Sequence, residues 1–277
     1  MTEPRPQPQR VSDARAAVPL GLRSGAVLAL TSVMGAMMLA WPLFLEVDPD
    51  ANRVDPPFLF LALLPLVLAV VMAELSEGGI DSRVLAILGV LTAVNAVLRL
   101  LSAGTAGLEL VFFLLILGGR VFGPGFGFVL GCLSMFASAL LTAGVGPWLP
   151  FQMLCAGWVG MGAGLLPRGP RGRREIALLV VYGVLAAYAY GLLMNLQGWP
   201  FIVGLDVPGQ DSTSLSYAPD ASVGENLHRF GLYTLLTSTA GWDTGRALTT
   251  ALALILLGPA VLTTLRRAAR RARIVRR

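Results

Sequence analysis

Apolar runs about as long as a bilayer is thick alternate with short polar islands along most of this chain, a pattern that no soluble fold accommodates. A soluble domain of 277 residues could bury a large core, but it would need far more polar surface to cover it. Here 55% of residues are hydrophobic and only 13% charged, against roughly 25% charged in soluble domains. Eight apolar segments can be delimited, at 25–45, 58–73, 84–102, 108–119, 122–143, 151–166, 176–194 and 245–265. A spanning helix needs about 20 residues. The segments 58–73, 108–119 and 151–166 fall short of that, and 122–143 opens with Gly and Pro. Interrupted helices are tolerated at membrane depth only where protein or a water-filled cavity covers their backbone, so the breaks predict a site inside the bundle. The expectation is an all-α integral membrane protein of about eight transmembrane segments over 25–265, flanked by tails at 1–24 and 266–277.

Charge orients that bundle. All 21 basic residues are Arg. With the N-terminus inside, seventeen of them fall on the cytoplasmic side, including Arg83, Arg120, Arg168, Arg171, Arg173, Arg174 and seven from Arg266 to Arg277, while only Arg53, Arg229 and Arg246 fall outside. That bias predicts both termini in the cytoplasm of a cell-membrane protein. The stretch 195–243 reads as one long external loop, because its apolar piece Phe230–Leu236 is too short to span. A ninth span there would also translocate the basic tail; an interfacial or re-entrant helix is expected instead. In a soluble protein the net charge of +5 would hint at nucleic acid, but at membrane flanks it fits anionic lipid. The first 24 residues carry no small-residue cleavage site and read as a cytoplasmic tail. Cys132 and Cys155 lie in apolar segments and His228 is the only His, so neither a disulfide framework nor a metal site is expected, and no cofactor is implied.

Small residues recur every fourth position at Gly123, Gly127 and Gly131, at Gly160 and Gly164, at Ala36 and Ala40, and at Gly89 and Ala93. Such faces let helix backbones approach closely, either inside the bundle or against a partner subunit. Polar residues at membrane depth are expensive and normally face the interior or a watery cavity. Asn95 and Arg99 lie one turn apart, and Glu109 follows across a loop short enough for Arg99 and Glu109 to meet. Two Gly and two Pro break the run Gly144–Met153, which sets Trp148 and Gln152 at the mouth of a cavity with Trp158 two turns on. Asn195, Gln197 and Trp199 bring the same chemistry to the end of the seventh segment. Aromatic faces with a few fixed polar groups suit a small-molecule site. Each single Trp also has a plainer reading as an interfacial anchor.

No phosphate-binding loop, metalloprotease motif or nucleophile elbow is present, and no carboxylate pair lies inside a helix, so no catalytic residues are expected. A transporter lacking repeated acids at mid-membrane needs its energy from another polypeptide. From Phe112 to Pro167 the chain, with GRVFGPGFGFVLG, GVGPWLPFQM and GWVGMGAG, resembles the substrate-binding S components of energy-coupling factor (ECF) transporters. The resemblance implies a core of about six helices from 84–102 onward, with the first two segments as an N-terminal addition. It also implies capture of a vitamin-like small molecule, and partners comprising a membrane coupling (T) subunit and two cytoplasmic ATPases. The coupling subunit would dock on Gly89 and Ala93, or on Ala36 and Ala40 of the added segment. A cobalamin-type compound is the first choice of ligand and a smaller vitamin or nucleobase-like metabolite the next. The rival readings are a structural or assembly membrane protein, and an enzyme acting on lipid-linked substrates.

Overall fold

The computed structural model describes residues 22–40, 67, 69, 71, 82–102, 108–199, 215–218 and 221–273. Every regular element among them is helical: α1 (Leu22–Leu39), α2 (Ser82–Ser102), α3 (Val111–Phe122), α4 (Pro124–Leu141), α5 (Leu149–Leu165), α6 (Arg173–Gly198), α7 (Val223–Thr234), a π-helical stretch (Leu235–Asp243), α8 (Thr244–Leu256) and α9 (Gly258–Arg273). By length and hydropathy Ser82–Leu100, Pro124–Leu141 and Arg173–Gly198 can each cross a membrane, and the bent pair Val223–Leu256 and Gly258–Arg271 adds a fourth if it forms one span. Ser24–Leu39, Val111–Phe122 and Leu149–Leu165 are apolar but shorter. The segment expected at 58–73 lies outside the described residues except for Val67, Ala69 and Val71. So do the first 21 residues and the last four.

Helix α3 explains how a short apolar segment survives. Its twelve residues are all buried and rise only about 18 Å. Helices α2, α4, α5, α6, α8 and α9 surround it, so protein rather than lipid meets its backbone. It ends at Gly123, whose φ of 114° is closed to ordinary side chains, and Pro124 then opens α4 with a preset backbone angle.

The glycine repeats are spent within the bundle. A Cβ on Gly127 would overlap the Gly160 carbonyl, one on Gly160 would overlap the Gly127 carbonyl, and one on Gly131 would overlap that of Ala156. Helices α4 and α5 therefore touch backbone to backbone. Gly164 closes the same seam against Pro124.

Two boundaries differ from the sequence reading. The stretch 195–243 is largely helical where described, because α6 continues to Gly198 and α7 begins at Val223. Ser222 caps α7 by accepting the Glu225 amide at 3.3 Å. Ser at the cap and Glu three residues on form a start signal that the loop reading overlooked. From Val223 the chain stays helical through the π stretch to Leu256, so the last long helix is not 245–265. It breaks at Leu257, where Gly258-Pro259 cannot continue the ladder, and α9 leaves at 67°. The expected basic tail from Arg266 is thus, as far as Arg273, the second half of α9. Leu262, Leu265 and Ala269 are its buried face.

A buried ion cluster fixes α9. Glu175, at the start of α6 and 2% exposed, accepts from Arg120 of α3 at 2.7 Å and from Arg266 of α9 at 2.7 and 2.8 Å. Arg120 also donates to the carbonyls of Leu166 and Pro167 at 3.0 Å, so its guanidinium closes the end of α5 as well. At the edge of the bundle, α1 leans on α5: Trp158 donates to Ser32 at 2.9 Å, and Gly35 meets Leu154.

Candidate functional site

The polar residues at the end of the bundle remote from Glu175 form two arms. In the first, Arg99 near the end of α2 donates to Ser138 of α4 at 2.7 Å and to Gln152 of α5 at 3.2 Å. Ser138 in turn donates to the Met135 carbonyl at 3.0 Å. The turn that brings Gln152 into range is set locally. Ala143 follows α4 in the left-handed region, with φ 52°, and the Gly144 amide bonds back to Ala139 at 2.9 Å, which ends the helix in a Schellman turn. Pro150 then lies in the first turn of α5.

The second arm centres on Arg246 of α8. Its guanidinium donates to Glu109, in the connection before α3, and to Asp243 at 2.9 Å. Asp243 in turn accepts from Ser238 at 2.9 Å. The same guanidinium lies over the rings of Tyr190, 5.0 Å from the centroid, and Phe112 at 5.7 Å. These two rings meet edge to face at 5.1 Å. A cation above aromatic faces and bracketed by two carboxylates is held from several sides. The π stretch supplies the register. Its wider turn lets the Thr244 hydroxyl donate to the Thr239 carbonyl five residues back at 2.6 Å, and Asp243 lies buried at its end. Gly191 on α6 makes room, since a Cβ there would overlap the Asp243 carboxylate.

One turn back from Arg99 and Ser138 stand Asn95 and Ser134, both fully buried. Neither amide atom of Asn95 nor the Ser134 hydroxyl has a hydrogen-bond partner, and the Thr92 hydroxyl lacks one too. Buried polar groups in folded proteins are nearly always satisfied, so a row of orphans along one seam calls for a cause.

Of the residues singled out in the sequence, Asn95, Arg99 and Gln152 converge, and Glu109 reaches the same end of the bundle through Arg246. Arg99 and Glu109 do not take each other as the partners expected: Arg99 goes to Ser138 and Gln152, Glu109 to Arg246. The loop between them was short enough, but residues on other helices offer better geometry. Trp158 is turned to α1 instead. Trp199 is 1% exposed within a second small core, donating to the Leu215 carbonyl at 2.7 Å and packing against Tyr217 and Phe230. Trp148 stays 48% exposed, its ring close over Gly146. Asn195 and Gln197 lie on the last turns of α6, Gln197 buried and the Asn195 amide nitrogen unpartnered. On α2, Gly89 and Ala93 face outward, with open space beyond Gly89. Ala36 is exposed and Ala40 half-buried. Sequence reasoning missed Ser138, Tyr190, Asp243 and Arg246: Arg246 stands at the outer head of the expected 245–265 segment, and its partner Glu109 lies 137 residues away.

A family model described as ECF transporter, substrate-specific component, matches residues 83–265, about two thirds of the chain. The match starts at the head of α2 and ends in α9, which leaves α1 outside it. No curated protein and no solved structure matches the chain.

Proposed function

The chain belongs to the substrate-specific components of ECF transporters, and on that premise we propose that the two arms centred on Arg99 and Arg246 capture a vitamin-like small molecule for an ATP-driven importer. The observation that carries this reading is the buried, unpartnered amide of Asn95 one turn from Arg99. A ligand offering an adjacent donor and acceptor would satisfy both of its ends, while Arg99 and Gln152 supply a charge-assisted donor and an adaptable amide. Trp148 and Trp242 are aromatic groups left accessible at this end. With Trp158 and Trp199 occupied elsewhere, a cobalamin-type ligand loses part of its aromatic rationale, and smaller vitamins enter the screen beside it.

The same reading carries the finer topology: about eight transmembrane segments in the cell membrane, both termini cytoplasmic, the Glu175 end inside and the Tyr190 end outside, as the Arg distribution favours. It takes the chain as a transport subunit without enzymatic activity. A coupling (T) subunit would seat on the open Gly89–Ala93 face of α2, with Ala36 and Ala40 of α1 as the alternative, and two cytoplasmic ATPases would drive release. The connected ion pairs of Arg246 favour one rival, a purely structural membrane protein, because a saturated network also locks helices together.

The deciding experiment is purification of the full chain in mild detergent, mass spectrometry of co-purified small molecules, and uptake of candidate vitamins by cells co-expressing a coupling subunit and ATPases. Arg99→Gln and Gln152→Ala should reduce retained ligand at least tenfold at normal expression. Unchanged uptake, or loss of expression without a bound ligand in the parent, would favour the structural rival.

A further inference from the structure

A groove at the opposite, arginine-rich end takes no part in the cluster described above. It lies between the first turn of α6 and the bend where α8 gives way to α9, with a volume of about 610 Å³, and Arg173, Ile176, Ile255, Pro259, Leu262 and Arg266 are among its lining. A second cavity of about 580 Å³ shares Arg173 and adds Arg171 and Arg174. We propose that this groove holds an anionic phospholipid of the surrounding bilayer, its phosphate against Arg171, Arg173 and Arg174 and an acyl chain along α6 and α8.

The charge balance favours an anion. Arg171, Arg173 and Arg174 are exposed and have no hydrogen-bond or ion-pair partner among the described residues. Glu175 also lines the groove, but Arg120 and Arg266 already bind its carboxylate. Gly172 opens α6 without a side-chain cap, so the first amides of the helix add positive potential on the same side.

The apolar wall selects a lipid over a soluble anion. Ile255 is 52% exposed, and Leu252 and Leu256 of α8 continue an open apolar surface away from the arginines. A phosphate ion would use only the arginines, whereas a phospholipid uses both surfaces. The 67° bend lays α9 across the bundle end with Leu262 and Leu265 inward and Arg267 and Arg271 outward, which suits a helix lying in the headgroup layer. The inference stands apart from the solute reading. Tyr190 lies fifteen residues beyond Glu175 on α6, a rise of about 22 Å.

The test is native mass spectrometry of the full chain after incubation with equimolar phosphatidylglycerol, cardiolipin and phosphatidylcholine. Retention of the anionic lipids should exceed that of phosphatidylcholine by about tenfold or more. The triple variant R171Q/R173Q/R174Q should erase that preference. Thr263→Trp, which fills the groove and leaves every arginine in place, should do the same, while R267Q/R271Q should change retention less than about twofold. Equal retention of phosphatidylcholine overturns the proposal. So does an equal loss in R267Q/R271Q, which would mean diffuse surface charge, or full displacement by millimolar inorganic phosphate, which would mean a soluble anion. An acidic protein segment crosslinked to the groove in place of lipid would overturn it as well.

Discussion

Helix α4 has two seams, and they are built on opposite principles. Toward α5 it presents Gly127 and Gly131 to Gly160 and Ala156, so close that no side chain fits between the backbones. Toward α2 it presents Ser134 and Ser138 to a helix that carries Asn95 and Arg99. The first seam gains its strength from tight packing of backbone against backbone, which works where lipid is as apolar as any side chain. The second keeps buried polar groups, of which Ser138 is satisfied and Asn95 and Ser134 are not. A seam that leaves hydrogen bonds unmade gives up stability that apolar packing would have supplied. The contrast separates a joint closed by backbone contact from one that leaves hydrogen-bonding capacity unused.

The comparison breaks first at the glycines. Gly160→Val should be the most damaging change, costing more than about 4 kcal/mol, since the new side chain meets backbone that cannot yield. Yield of monodisperse protein in detergent checks it, and a well-folded variant would mean that α4 and α5 are not in backbone contact. Next comes Arg246→Met, which strands the Glu109 and Asp243 carboxylates; a loss of about 3–5 kcal/mol is expected in chemical or thermal unfolding.

Asn95→Leu carries the sharpest contrast, because its two effects should have opposite signs. Removing a buried unsatisfied amide should stabilise the protein by about 1–2 kcal/mol while abolishing ligand retention. A destabilised variant would indicate that Asn95 is bonded within the protein and that the α2 seam is as closed as the α5 seam. The smallest effect belongs to Ala143→Gly, which relieves a left-handed alanine at the end of α4. About 1 kcal/mol of added thermal stability is expected with uptake unchanged.

Much of the bundle was legible because membrane helices advertise themselves through length and hydropathy. The segments 84–102, 122–143, 151–166 and 176–194 fall on α2, α4, α5 and α6 within a few residues. The four-residue glycine spacing of Gly123, Gly127 and Gly131 pointed to close helix contact, and the structure uses it inside the bundle. The 195–243 stretch is helical over more of its length than the interfacial helix expected around Phe230–Leu236. The first turns of α7 are polar, and the Ser222–Glu225 cap is the local clue to where they begin. The π stretch left no signal at all, since its wide turn is fixed by how Asp243 meets Gly191 and Arg246.

By itself the sequence determined that this chain is a membrane-embedded helical bundle with arginines gathered at one end, because apolar length and charge placement act residue by residue. Tertiary structure alone decided which polar groups meet. Glu109 and Arg246 lie 137 residues apart, Arg99 and Gln152 lie 53 apart, and only packed helices set such pairs within a hydrogen bond of each other. Local spacing cannot specify partners on different helices, because each contact depends on the rotation and tilt of both.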